Sequence, residues 1–156
     1  MASTSNSVPL VVSRFLLACP FLVASATTFA LLKDGATAGY AIQQHQPVIS
    51  AWERLGELGK RVPQEKLVVF LAVTQGMGGF LMVFNHKFGG LLLMLYLLPV
   101  TLLTHQFWSD GYRGLEAQHD ALGNFLKNVA LMGGVLLFMA TTDEVPLKVK
   151  RKTHAD

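Results

Sequence analysis

Four long apolar stretches limit what this chain can fold into. They read VPLVVSRFLLACPFLVASATTFALL (8–32), LVVFLAVTQGMGGFLMVFN (67–85), FGGLLLMLYLLPVTLLTHQFW (88–108) and ALGNFLKNVALMGGVLLFMA (121–140). A helix crosses the hydrocarbon core of a bilayer with roughly 17–25 residues, and each stretch is that long. Charges or turn residues bound them: Lys33 and Asp34, Glu65 and Lys66, His86 and Lys87, Ser109, Asp110 and Gly111, Asp143 and Glu144. A soluble helix carries one apolar stripe, and a soluble domain is about 25% charged. Here the stretches are apolar on nearly all sides, and only 15% of the chain is charged against 51% hydrophobic. Lipid offers the backbone no hydrogen bonds, so such segments span as helices. The sequence predicts an all-α membrane protein, a four-transmembrane-helix bundle forming one domain over 1–156.

The first stretch has no Lys or Arg before Arg14. It is also longer than the roughly 7–15 apolar residues of a signal peptide. It is expected to stay as a helix of the mature chain. Between the first two spans, VISAWERLGELGKRV (48–62) places Val48, Trp52, Leu55, Leu58 and Val62 on one helical face, with charges over the rest. This predicts an amphipathic helix lying at the membrane interface, with Trp52, Leu55 and Leu58 as its apolar contacts. Gly56 and Gly59 weaken that helix. Four spans put both ends of the chain on one side. The tail over 143–156 is basic, and Lys148, Lys150, Arg151 and Lys152 suit anionic lipid headgroups. That cluster places the two ends on the cytoplasm-like or matrix-like face.

Polar groups inside the spans are expensive and usually face the bundle interior. In LLPVTLLTHQFW (97–108), Thr101, Thr104, His105 and Trp108 fall at i, i+3, i+4 and i+7. Asn124, Lys127 and Asn128 repeat that spacing on the last span. A short connection puts the two stripes at similar depth. The expectation is one intramembrane cluster of Thr101, Thr104, His105, Asn124, Lys127 and Asn128, in which His105 bonds Asn124 or Asn128. Burial and a nearby Lys127 would keep His105 neutral. Pro99 frees a carbonyl that Thr101 or a neighbouring helix must cover. Mid-span Gln75 calls for an internal partner. Gly76, Gly78, Gly79, Gly89, Gly90, Gly133 and Gly134 read as close-packing surfaces, since neither GxGxxG nor GxxxxGK is present.

Several chemistries are excluded. Cys19 is the one cysteine, so the chain holds no disulfide or CxxC pair. His86 and His105 lie about 28 Å apart along one helix axis, too far to clamp a haem. Glu116 and His119 form a single ExxH, where a di-iron bundle needs two. No catalytic residue, metal site or nucleic-acid contact is predicted.

PVTLLTHQFW followed by NFLKNVALMGGVLLF resembles the DoxX-like family. The whole layout, with SRFLLACPFLVAS at its start and a basic tail, more closely resembles the plant HR-like lesion-inducing proteins, relatives of DoxX and of the surfeit-locus cargo receptors. The resemblance implies a four-helix bundle without a known prosthetic group. DoxX-type proteins are small subunits of membrane redox systems. The first expectation is therefore a non-catalytic accessory subunit of an organelle redox or respiratory complex. It would contact membrane lipids and other membrane subunits, in the mitochondrial inner membrane ahead of the endoplasmic reticulum or plastid. A quinone-linked oxidoreductase component is the second, with quinone or lipid as the only ligands expected. A trafficking receptor is the third, although the KTHAD terminus departs from a dilysine retrieval signal.

Overall fold

The computed structural model describes residues 7–54, 56–108 and 114–142. Among them the regular elements are helices: α1 (Ser7–Lys33), α2 (Ala38–Gln44), α3 (Gln46–Glu53), α4 (Glu57–Lys60), α5 (Gln64–Val83), α6 (Lys87–Thr104) and α7 (Leu115–Thr141). Helices α1, α5, α6 and α7 are long and apolar enough to cross a membrane. The chain is an all-α membrane protein with a four-helix bundle, and helix α3 is the amphipathic helix of its first loop.

The bundle is built on the α5–α6 pair. Within the spans, 44% of α5 and 39% of α6 are buried, against 22% of α1 and 11% of α7. The turn between α5 and α6 takes three residues, 84–86. Asn85 sits at φ 61°, in the left-handed region that Asn tolerates better than most side chains. Its N–H bonds Met82 O at 3.0 Å, and the His86 N–H bonds Leu81 O at 2.9 Å, closing the helix end with paired reverse bonds. The two helices then cross almost backbone to backbone. A Cβ on Gly89 would sit 2.7 Å from Gly78 O and 2.7 Å from Met82 N. Around this crossing, α1 packs on α5 and α7 packs on α6. Gly76 leaves room for Ser25 of α1, whose hydroxyl donates to Ala72 O at 2.8 Å. Gly90 meets Met139 of α7, and Gly134 meets Leu17 of α1. Phe21, Met82, Leu93, Leu97 and Val135 fill the space between. These glycines are packing surfaces, as their sequence context predicts; Gly133 is the exception, with nothing near it.

The first loop departs from its prediction in extent. Instead of one helix over 48–62, α3 covers Gln46–Glu53, with Pro47 in its first turn, where a missing N–H costs nothing. Gly56 adopts φ 87°, which stops the helix. Gly59 then lies against the Trp52 carbonyl, so α4 folds back on the end of α3. Val48 and Ile49 are buried, whereas Trp52 is exposed. Ile49 packs with Leu67, Val68, Leu32 and Ile42, fastening the loop to α1, α2 and α5. Leu55, the side chain of Leu58 and the tail residues Lys148, Lys150, Arg151 and Lys152 lie outside the described residues.

The third span is also shorter than its apolar run. Helix α6 stops at Thr104, and His105 is non-helical at φ −111°, ψ 52°. Phe107 and Trp108 turn instead onto Phe125 of α7, with ring centroids 5.2 Å and 5.7 Å from it. Helix α7 starts earlier than its apolar run, after Gly114 at φ 111°, with Glu116 favourably placed in its first turn.

Gly89→Ala is expected to destabilise the bundle by about 1–3 kcal/mol, because the clash is with backbone. Gly133→Ala is the matched control. Thermal melting of both variants in detergent checks the contrast; equal melting temperatures would contradict it.

Candidate functional site

A cavity of about 410 Å³ lies among α1, α5, α6 and the end of α2. Thr27 and Thr28 of α1 line it, with Gln75 of α5 and Tyr96, Val100 and Thr104 of α6. Gln44 and His45 close it from the loop, beside His105. Among the described residues, no acidic or basic side chain other than the two histidines lines it. Tyr96, Val100 and Thr104 recur every four residues, so α6 offers them along one stripe. Gln75 is 7% exposed and Tyr96 9%. Neither side chain makes a hydrogen bond among the described residues. The Thr27 and Thr28 hydroxyls bond back to Val23 O and Ala24 O of their own helix. The Nδ1 of His45 lies 2.9 Å from Ala41 O. A carbonyl only accepts, so Nδ1 carries a proton in this contact. Burial lowers the pKa of His105, just past the end of its span, below the ordinary imidazole value.

The expected single cluster is divided between two places. Thr104 and His105 line the cavity, whereas Asn124 and Lys127 are exposed on α7, with Lys127 Nζ 3.4 Å from Asn124 Oδ1. Asn128 is half-buried. No hydrogen bond joins His105 to Asn124 or Asn128 among the described residues. The reason is the end of α6: the backbone leaves the helix at His105, so spacing counted through Trp108 does not describe one face. Trp108 joins Phe107 and Phe125 instead. Burial, rather than Lys127, is what disfavours the His105 proton. Thr101 is fully buried and its hydroxyl has no partner, so it does not cover the carbonyl that Pro99 frees. Glu116 and His119 sit exposed on the first turns of α7.

Sequence reasoning singled out Gln75, Thr104 and His105 but missed the rest of the lining, Tyr96 and His45 among it. The Tyr96–Val100–Thr104 repeat was a readable signal for Tyr96. His45 carried none, because it reaches the cavity only through the folding of the loop.

Along α7, Asn124, Lys127, Asn128, Leu131, Gly134, Val135 and Phe138 share one helical stripe. At its far end Val135 and Phe138 are buried, and Gly134 touches Leu17. Earlier on it Asn124 and Lys127 are exposed. One turn before Asn124, Ala121 is buried again, so the exposure is confined to the middle of the stripe. On α1, Leu10 and Leu17 line a groove against α7, while Ala24 and Thr28 on the same stripe line the cavity.

Four apolar helices around a shared glycine crossing define a polytopic all-α membrane protein. The family model of the HR-like lesion-inducing proteins matches residues 8–141, and the chain belongs to that family. No curated protein and no solved structure matches it.

Thr101→Val should raise stability by about 1 kcal/mol, since it removes a buried hydroxyl without a partner and keeps the shape; chemical denaturation in micelles measures the change. His105 generates a pH prediction. A histidine whose folded pKa is depressed binds its proton more readily in the unfolded chain. Its stabilisation is complete above the unfolded value of about 6.5 and is lost as pH falls through it. The melting temperature of the wild type should fall more between about pH 7.5 and pH 5 than that of His105→Gln. Parallel pH profiles would contradict this.

Proposed function

We propose that the chain is a non-catalytic integral membrane accessory subunit of an organelle redox or respiratory assembly, with the mitochondrial inner membrane as its location. The observation that carries the reading is the exposure of Asn124 and Lys127 on α7. A 27-residue helix is about 40 Å long, against a hydrocarbon core of about 30 Å. Lys127 lies 14 residues before Thr141, about 21 Å from that end of the helix, and so falls within the core. Asn124 and Lys127 are exposed there, on the stripe that the bundle buries further along. Lipid chains offer an amide or an ammonium nothing to bond. A neighbouring helix with a polar or acidic side chain would satisfy both. The resemblance of PVTLLTHQFW and NFLKN to DoxX-type subunits supports a redox setting.

Gentle solubilisation of the native membrane, followed by native gel and mass spectrometry, tests the reading. The chain should travel within a large assembly. The double variant Asn124→Leu/Lys127→Leu should leave that assembly while keeping its melting temperature. Migration of the wild type alone, or as a small homo-oligomer, would overturn the reading.

A further inference from the structure

We infer that the Gln75–Tyr96–His105 cavity binds the polar head of a neutral amphiphile, a molecule with carbonyl or hydroxyl oxygens on its head and an apolar tail. Two independent observations lead there. Gln75 and Tyr96 come from different helices, are more than nine-tenths buried, line the same cavity, and have no hydrogen-bond partner among the described residues. Gln75 stands 11 residues from the start of α5 and eight from its end, deep in the span. The polar atoms of this pair are not sealed in by protein but stay reachable from the cavity, so they are free to bond what occupies it.

The lining defines the chemistry of that occupant. The Gln75 amide supplies two donor hydrogens and an acceptor oxygen, and the Tyr96 and Thr104 hydroxyls each supply one donor. His45, held by its Nδ1, adds a second imidazole to the lining beside His105. Donors and acceptors are mixed, and among the described residues no carboxylate, lysine or arginine lines the cavity to pair with a charged head. A head with carbonyl or hydroxyl groups satisfies both kinds. About 410 Å³ falls within the range of small-molecule pockets, roughly 300–1,000 Å³. Ala24 and Thr27 are exposed at the rim, so the cavity opens along α1. Lower on α1 a separate groove against α7 is lined by Leu10, Leu17, Leu137 and Phe138, with Ser13, Arg14 and Thr141 at it as well; an alkyl tail leaving the cavity along α1 would run toward it. Entry is from the bilayer.

The head chemistry has two sources, a ring that carries carbonyls or hydroxyls, such as a quinone or quinol, and a neutral glyceride. The test uses the full chain in phosphatidylcholine nanodiscs. It is titrated separately with decyl-benzoquinone and with monoolein, and binding is read by native mass spectrometry and thermal shift. One probe is expected to saturate at one molecule per chain, and which one does so identifies the source. The double variant Gln75→Leu/Tyr96→Phe should weaken that binding about tenfold or more. The variant should melt, unliganded, at or above the wild-type temperature, a result that a purely structural role for the pair would not produce. Failure of both probes to saturate would overturn the inference and leave water as the occupant. Unchanged affinity in the double variant would equally overturn it. The test is independent of the accessory-subunit reading, since it needs no partner and leaves Asn124 and Lys127 intact.

Discussion

The close crossing of α5 and α6 at Gly78 and Gly89 is the contact on which the rest of the bundle depends. In lipid there is little hydrophobic gain from bringing two apolar helices together, so association relies on close packing and the few available hydrogen bonds. Two glycines facing each other let the backbones approach to the limit set by Gly78 O and Met82 N. That approach sets the spacing of the central pair, and the flanking helices follow from it. Helix α1 lies on α5 through Gly76, Gly79 and the Ser25–Ala72 bond, and α7 lies on α6 through Gly90.

The outer pair closes only at one end. Gly134 admits Leu17, and α1 and α7 meet there. Along the same stripe Asn124 and Lys127 lie exposed, before Ala121 is buried again near the start of α7. The first loop closes part of the space, with α2 over the cavity and α3 against α6. The polar inventory of the spans is therefore split. Gln75, Tyr96, Thr104 and His105 face a cavity inside the bundle, and Asn124 and Lys127 face outward. The inward set suits a small neutral head, and the outward pair suits a neighbouring helix.

Much of the fold was legible because lipid leaves a chain few choices. Four apolar runs of spanning length mean four helices, and paired glycines inside them mean close packing. Element ends were less legible. The apolar run through Trp108 continues past the last helical residue, since hydropathy does not register that Phe107 and Trp108 fold back onto Phe125. The polar start of α7 escaped a reading based on apolar length. Gly56 and Gly59 were visible as weak points in the loop, but the left-handed turn at Gly56 and the contact of Gly59 with the Trp52 carbonyl are tertiary facts.

The sequence by itself determined the class of protein, the number of spans and the glycines on which they pack, because backbone hydrogen-bonding and close approach are local requirements. Only the tertiary structure decided which polar residues meet. Helical spacing places Thr104 and His105 near Asn124 and Asn128 in depth, but depth is one coordinate. Rotation about the helix axis and the end of α6 at Thr104 set the others. These depend on contacts between helices distant in sequence, so His105 shares a cavity with Gln75, Tyr96 and a loop histidine rather than with the last span.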